Sequence, residues 1–205
     1  MSLSTYLIYL AAVLLLILTP GPTMLMCMTN ALNHGPSHAM ASVAGAIVAV
    51  VGVMALSAMG LGALLAASET AFTLAKTAGA AYLVWLGIRT FRSTGLLQIE
   101  GASASPRSFV AQGFLVGASN PKAILFFAAF FPQFLDPAHP VVPQFAILAG
   151  TFVVCELTVL SLCALGVARL VPLLRSATLV RWINRTFGGL FALMGGLLLL
   201  SRRQA

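Results

Sequence analysis

The chain has 205 residues, of which 60% are hydrophobic and only 7% charged, and its formal net charge is +7. Ordinary soluble domains carry about 25% charged residues, so a water-exposed globule is excluded and the chain belongs in a bilayer. Nucleic acid is not the implied partner, because the arginines stand at the ends of apolar segments and build no basic face interleaved with aromatics.

A helix needs about 20 apolar residues to cross a bilayer. Six segments meet that need: 3–28, 39–67, 71–92, 109–134, 142–170 and 182–201. They predict an all-α membrane protein with a single transmembrane domain over 1–205. Met1-Ser2-Leu3-Ser4-Thr5 lacks the basic start of a secretory signal, so the first apolar stretch is read as a retained span. Inside it lies Leu18-Thr19-Pro20-Gly21-Pro22-Thr23. Two prolines there withhold N–H groups from the carbonyls of Leu16 and Leu18, and the helix should break. Asn30 to His38 is polar and turn-rich and reads as a short loop. His34 and His38 are four residues apart, but Gly35-Pro36 between them argues against one helix face that could hold a metal.

The second span carries Ala41, Gly45, Ala49 and, slightly off that line, Gly52, a row of small residues that lets a neighbouring helix approach closely. The third holds Gly79 to Gly87, where Tyr82 and Trp85 read as packing or interfacial residues. Residues 94–108 are rich in Ser, Gly and Ala and form the joint between two halves, 1–93 and 109–205. Three spans in each half force the second half to insert upside down. Internal matches support such a repeat: Thr19-Pro20-Gly21 with Asn120-Pro121-Lys122, Ala44-Gly45-Ala46 with Ala149-Gly150-Thr151, and Lys76, Gly79 and Gly87 with Arg185, Gly188 and Gly196. Arg89, Arg92, Arg107, Arg169, Arg175, Arg181 and Arg185 collect on one side, which the positive-inside rule makes cytoplasmic, with both termini periplasmic.

The fourth span is broken at Ser119-Asn120-Pro121-Lys122. A lysine near the bilayer midplane costs about 2.5–3.5 kcal/mol on insertion scales, so such residues usually line a pathway or a site. Pro121 frees the carbonyl of Gly117, and unpaired backbone at depth is tolerated only where it is buried in protein or lines a wet cavity. The two breaks are expected to face each other near the middle of the membrane. Thr19, Pro20, Gly21, Pro22, Thr23, Asn120, Pro121 and Lys122 are therefore the candidate substrate-binding residues. Glu156 is an acidic residue deep in the fifth span, whereas Glu69, Glu100 and Asp136 fall at span ends or in loops. An isolated carboxylate there must be protonated or paired, and Lys122 is the expected partner. Glu156 with Lys122 is the candidate proton-coupling pair. The free carbonyls of Leu16, Leu18 and Gly117 are expected to meet a solute's ammonium, and Lys122 its carboxylate.

Cys27, Cys155 and Cys163 form no ligand cluster and read as small core residues. There is no C-x-x-C, H-E-x-x-H, Gly-x-Ser-x-Gly or nucleotide-binding loop, so neither an enzyme nor a cofactor is expected.

Blocks along nearly the whole chain resemble the LysE/RhtB family of amino-acid exporters, in its homoserine/threonine-type branch. They are Pro20-Gly21-Pro22, Leu32-Asn33-His34-Gly35, Lys76 with Gly79 to Gly87, Asn120-Pro121-Lys122, Phe131-Pro132-Gln133-Phe134 and Phe187 to Phe191. The resemblance implies proton-driven efflux of a small amino acid or derivative across the bacterial inner membrane, with a homo-oligomer allowed but not required. Members often carry a basic residue just after the Asn-His-Gly turn, where this chain has Pro36-Ser37-His38. An exporter of a metal cation or another small solute is the alternative, since fold does not fix substrate.

Overall fold

A computed structural model describes residues 2–67, 77, 80–81, 84–85, 87–92, 108–136, 138–167, 169 and 176–200. Among them the regular structure is helical, with no strand. The helices are α1 (Leu3–Leu18), α2 (Pro22–His34), α3 (Pro36–Ala67), α4 (Phe109–Ser119), α5 (Pro121–Phe130), α6 (Val141–Leu165) and α7 (Ala177–Leu200), with a 3-10 turn at Phe131–Phe134 after α5. Helical residues between 77 and 92 belong to the third predicted span. Lys76, Gly79, Tyr82, Glu69, Glu100, Arg107, Arg175 and most of the linker 94–108 lie outside the described residues. Pro36–Gly60 and Val141–Leu165 are long and apolar enough to cross a membrane, and α1 with α2 makes a third such element if the bent pair is taken as one span.

Both proline motifs end one helix and start another. α1 stops at Leu18, Gly21 caps α2, Pro22 occupies its first turn, and the pair bends by 52°. α4 stops at Ser119 and α5 begins at Pro121. Proline suits a first turn because its missing N–H would have had no helical partner there. The Asn120 side chain caps α5 by accepting from the Lys122 backbone N–H at 3.1 Å.

The polar stretch after the first span is not the loop that its composition suggests. α2 continues through Asn30 to His34, α3 starts at Pro36, and Gly35 alone turns the chain, with φ at 87°. That left-handed conformation suits a residue without Cβ. The helix survives its polar residues because Asn30 is buried and satisfied: its Nδ2 donates to Ser42 Oγ at 3.0 Å and to Gln112 Oε1 at 2.8 Å. His34 and His38 sit on different helices, and both rings pack against Phe109.

α3 is the central helix, and α4 lies directly against it through glycine. A Cβ on Gly45 would run into the backbone of Val110 and Phe114, one on Gly113 into Ser42, and one on Gly117 would lie 2.9 Å from Ala46 Cα. Ser42 opposite Gly113 and Ala46 opposite Gly117 mean that the two helices run in the same direction. The small-residue row on α3 thus meets a Gly-x-x-x-Gly pair on α4, which is how close helix contacts form where lipid supplies no hydrophobic drive. Gly52 takes no part, because nothing lies within 4 Å of where its Cβ would be.

Two apolar clusters fill the bundle. One is aromatic, built from Tyr9, Phe126, Phe127, Phe130, Phe131, Phe134 and Phe152 with Leu16 and Val50. Its rings meet edge to face, as at Phe127–Phe152 (5.1 Å, 76°) and Tyr9–Phe134 (5.1 Å, 69°). The Tyr9 hydroxyl is satisfied by donating to the Leu148 carbonyl at 2.9 Å. The other cluster is aliphatic and sulfur-rich, from Met24, Cys27, Met28, Val43, Ile47 and Leu160. At the aromatic end Gln144 fastens the turn before α6, accepting from the Asp136 N–H and donating to the carbonyls of Asp136, His139 and Pro140. The Ala138 N–H and the His139 ring hold the Asp136 carboxyl below the usual carboxylate range.

Candidate functional site

Between the two clusters lies a partly open cavity of about 380 Å³ at the break between α1 and α2. Its polar lining is Thr19, Gly21, Thr23, Asn120, Lys122 and Glu156, and its apolar walls include Ile17, Met24, Val50, Phe152 and Leu160. The two breaks, some hundred residues apart in sequence, therefore meet at one cavity. Pro20, Pro22 and Pro121 are not among the lining residues; they shape the breaks that present the others.

Lys122 is the hub. Its position in the first turn of α5, fixed by the Asn120 cap and Pro121, sends the side chain across to the end of α1. There Nζ donates to the Leu16 carbonyl at 2.8 Å and to the Thr19 carbonyl at 2.6 Å. These are charge-assisted hydrogen bonds at short range. Pro20 has no N–H for Leu16, so the lysine takes the acceptor that the proline left open. The same carbonyls carry the partial negative charge of a helix C-terminus, which favours a cation.

Gly21 eases this seating. Its φ of −161° is ordinary extended backbone, open to any residue. What glycine adds is room: a Cβ there would stand 3.0 Å from Lys122 Nζ and 3.3 Å from Lys122 Cε, so the lysine tip would have to give by a few tenths of an ångström. Asn120 also ties the breaks together, its Nδ2 donating to Thr23 Oγ1 at 3.1 Å. Thr19 turns its own hydroxyl back to the Leu15 carbonyl at 2.6 Å.

Four expectations are corrected. The Leu16 carbonyl is not free for a solute in this state, because Lys122 occupies it. The Gly117 carbonyl is not free either, since the tight end of α4 lets the Asn120 N–H reach it at 3.3 Å. Leu18 is 43% exposed and is not among the lining residues. Lys122 and Glu156 line the same cavity, yet among the described residues they form no ion pair within 4.0 Å. Two backbone acceptors at the end of α1 hold the ammonium instead. Glu156 comes from the middle of α6, is 8% exposed, and lines the cavity. The cavity thus holds one seated cation and one carboxyl-bearing residue in its lining. Among the described residues no group of three or more His, Cys, Asp or Glu side chains gathers as a metal site would require.

Residues 14–202 match the family model described as LysE type translocator. The homoserine/homoserine lactone efflux protein of Salmonella typhimurium is 36% identical over 196 residues, covering 95% of each chain. An uncharacterized membrane protein of Vibrio cholerae is 34% identical over 200 residues, covering 97% of this chain and 98% of the relative. The leucine efflux protein of Klebsiella pneumoniae is 34% identical over 135 residues, covering 64% of this chain and 63% of its own. No solved structure matches.

Proposed function

Because the chain belongs to the LysE family of translocators, we propose that it is a secondary active exporter of a small amino acid or a close derivative, of the homoserine, threonine or homoserine-lactone kind. One observation carries this reading: a cation and a carboxyl group, Lys122 and Glu156, share a small cavity at two helix breaks inside an apolar bundle. Charges at that depth are retained where a polar solute or ion must pass.

In this reading the solute's carboxylate pairs with Lys122, and Thr19, Thr23 and Asn120 supply further hydrogen bonds. Glu156 takes up a proton from the outer side and gives it up inside, so that inward proton movement drives outward solute movement. Antiport requires that solute and proton occupy the cavity by turns, each disfavouring the other. The aromatic and the aliphatic clusters on either side of the cavity are the two barriers that would open in turn. Six spans in two inverted three-helix repeats, in the inner membrane with both termini periplasmic, provide the frame for alternating access. The parallel course of α3 and α4 supports it, since the second and fourth of six consecutive spans cross in the same sense.

The test is growth of an exporter-deficient bacterial strain on inhibitory concentrations of homoserine, threonine and leucine, with and without this protein. The reading expects resistance to at least one of them together with a lower intracellular level of that amino acid. Unchanged sensitivity to every amino acid tried, with the protein present in the membrane, contradicts it.

A further inference from the structure

The lysine in the cavity is bonded as a ligand would be. Its ammonium makes two short hydrogen bonds to backbone carbonyls from a helix more than a hundred residues away, and the neighbouring Cα is bare. An ammonium bonded by two carbonyls at a helix C-terminus, in a cleft shaped by a glycine, describes a binding site for a primary ammonium. What occupies it here is tethered to the same chain.

We propose that the Leu16 and Thr19 carbonyls beside Gly21 form a primary-ammonium site, filled by Lys122 when the cavity is empty and by the amino group of the transported solute when it is loaded. The proposal rests on the exporter reading for its second half only. Three features carry it. Proline at 20 leaves the Leu16 carbonyl without a helical donor, so the site needs an external N–H in every state. The Gly21 Cα leaves the room that an ammonium on these carbonyls requires. Glu156 lines the same cavity as Lys122 and, among the described residues, makes no ion pair with it within 4.0 Å. A solute ammonium on the carbonyls displaces Lys122 into the cavity, where the solute's carboxylate and Glu156 can both receive it.

The consequence is that the carbonyls are never left bare. The empty protein closes over its own lysine, and the loaded one over the solute, so each half of the transport cycle has a satisfied site.

Lys122→Ala removes three carbons and the nitrogen, the equivalent of n-propylammonium. The test is binding of n-propylammonium to purified protein, read by calorimetry and by thermal shift, with n-propanol as the neutral control. Binding to Lys122→Ala at least tenfold tighter than to the unsubstituted protein, absent with n-propanol and lost in Gly21→Ala/Lys122→Ala, is the expected result. Equal or no binding to a folded Lys122→Ala protein overturns the site. Transport plays no part in this readout, so failure of the exporter reading is seen separately. Displacement of n-propylammonium by the exported amino acid, and not by its 2-hydroxy analogue, supports the exchange; equal displacement by both overturns it. Should Lys122→Ala fold neither with n-propylammonium nor without it, Gly21→Ala carries the test. It should weaken binding of the exported amino acid at least tenfold, and unchanged binding overturns the proposal.

Discussion

Replacing Lys122 by alanine should stop efflux without keeping the protein out of the membrane. The side chain makes two charge-assisted hydrogen bonds, at 2.8 and 2.6 Å, that join α5 to the end of α1. Bonds to charged groups contribute about 1.5–3 kcal/mol each, so about 3–6 kcal/mol of cross-break interaction is removed. The lower figure alone corresponds to roughly two decades in an equilibrium, since each 1.4 kcal/mol is about tenfold. Insertion should not suffer, because a lysine at depth costs about 2.5–3.5 kcal/mol and alanine removes that cost. The assay is efflux of preloaded amino acid from cells, with immunoblotting of the membrane fraction to fix the amount of protein. A fall of about a hundredfold at equal abundance is expected. Efflux within twofold of the unsubstituted protein would remove Lys122 from the solute's path.

Other residues make separate predictions. Asn120→Ala loses the α5 cap and the hydrogen bond to Thr23, and should lower thermal stability by about 0.5–2 kcal/mol, measured by unfolding in detergent. Gly113→Leu forces α3 and α4 apart at Ser42 and should cost about 1–3 kcal/mol or more, whereas Gly150→Ala, with nothing within 4 Å, should be nearly silent in the same melt. Gly35→Ala puts a Cβ on a residue at φ 87° and should cost about 1–2 kcal/mol; an unchanged melting temperature would show that the turn is not held in this conformation.

The two breaks were legible because proline and an isolated charge violate what a spanning helix tolerates, and such violations are visible residue by residue. Their shared cavity followed from the same reasoning. What the ammonium of Lys122 bonds to was not legible: Leu16 and Thr19 lie 106 and 103 residues away, and the choice between them and Glu156 depends on where α5 points. The role of Gly21 was equally hidden, since a glycine between prolines reads as backbone freedom, and only the position of Nζ shows that it provides space. Asn30 to His34 reads as a loop by polarity, yet the polar groups find partners in Ser42 and Gln112 and stay helical. Gly113 and Gly117, the α4 side of the close contact with α3, stand in a span whose strongest sequence signal is the proline break. The row at Gly45 was the signal that such a partner must exist.

The most direct test of the account is proton-driven efflux from proteoliposomes loaded with the exported amino acid, with an inward proton gradient imposed across the membrane, for the unsubstituted protein and Glu156→Gln. Glutamine keeps the shape of the side chain and removes its titration. The account predicts that the gradient accelerates efflux in the unsubstituted protein and, for one coupled proton, shifts the final outside-to-inside solute ratio by at most about tenfold per pH unit. It predicts that Glu156→Gln still exchanges solute down its gradient but gains nothing from the proton gradient. Full proton-driven acceleration in Glu156→Gln would contradict it.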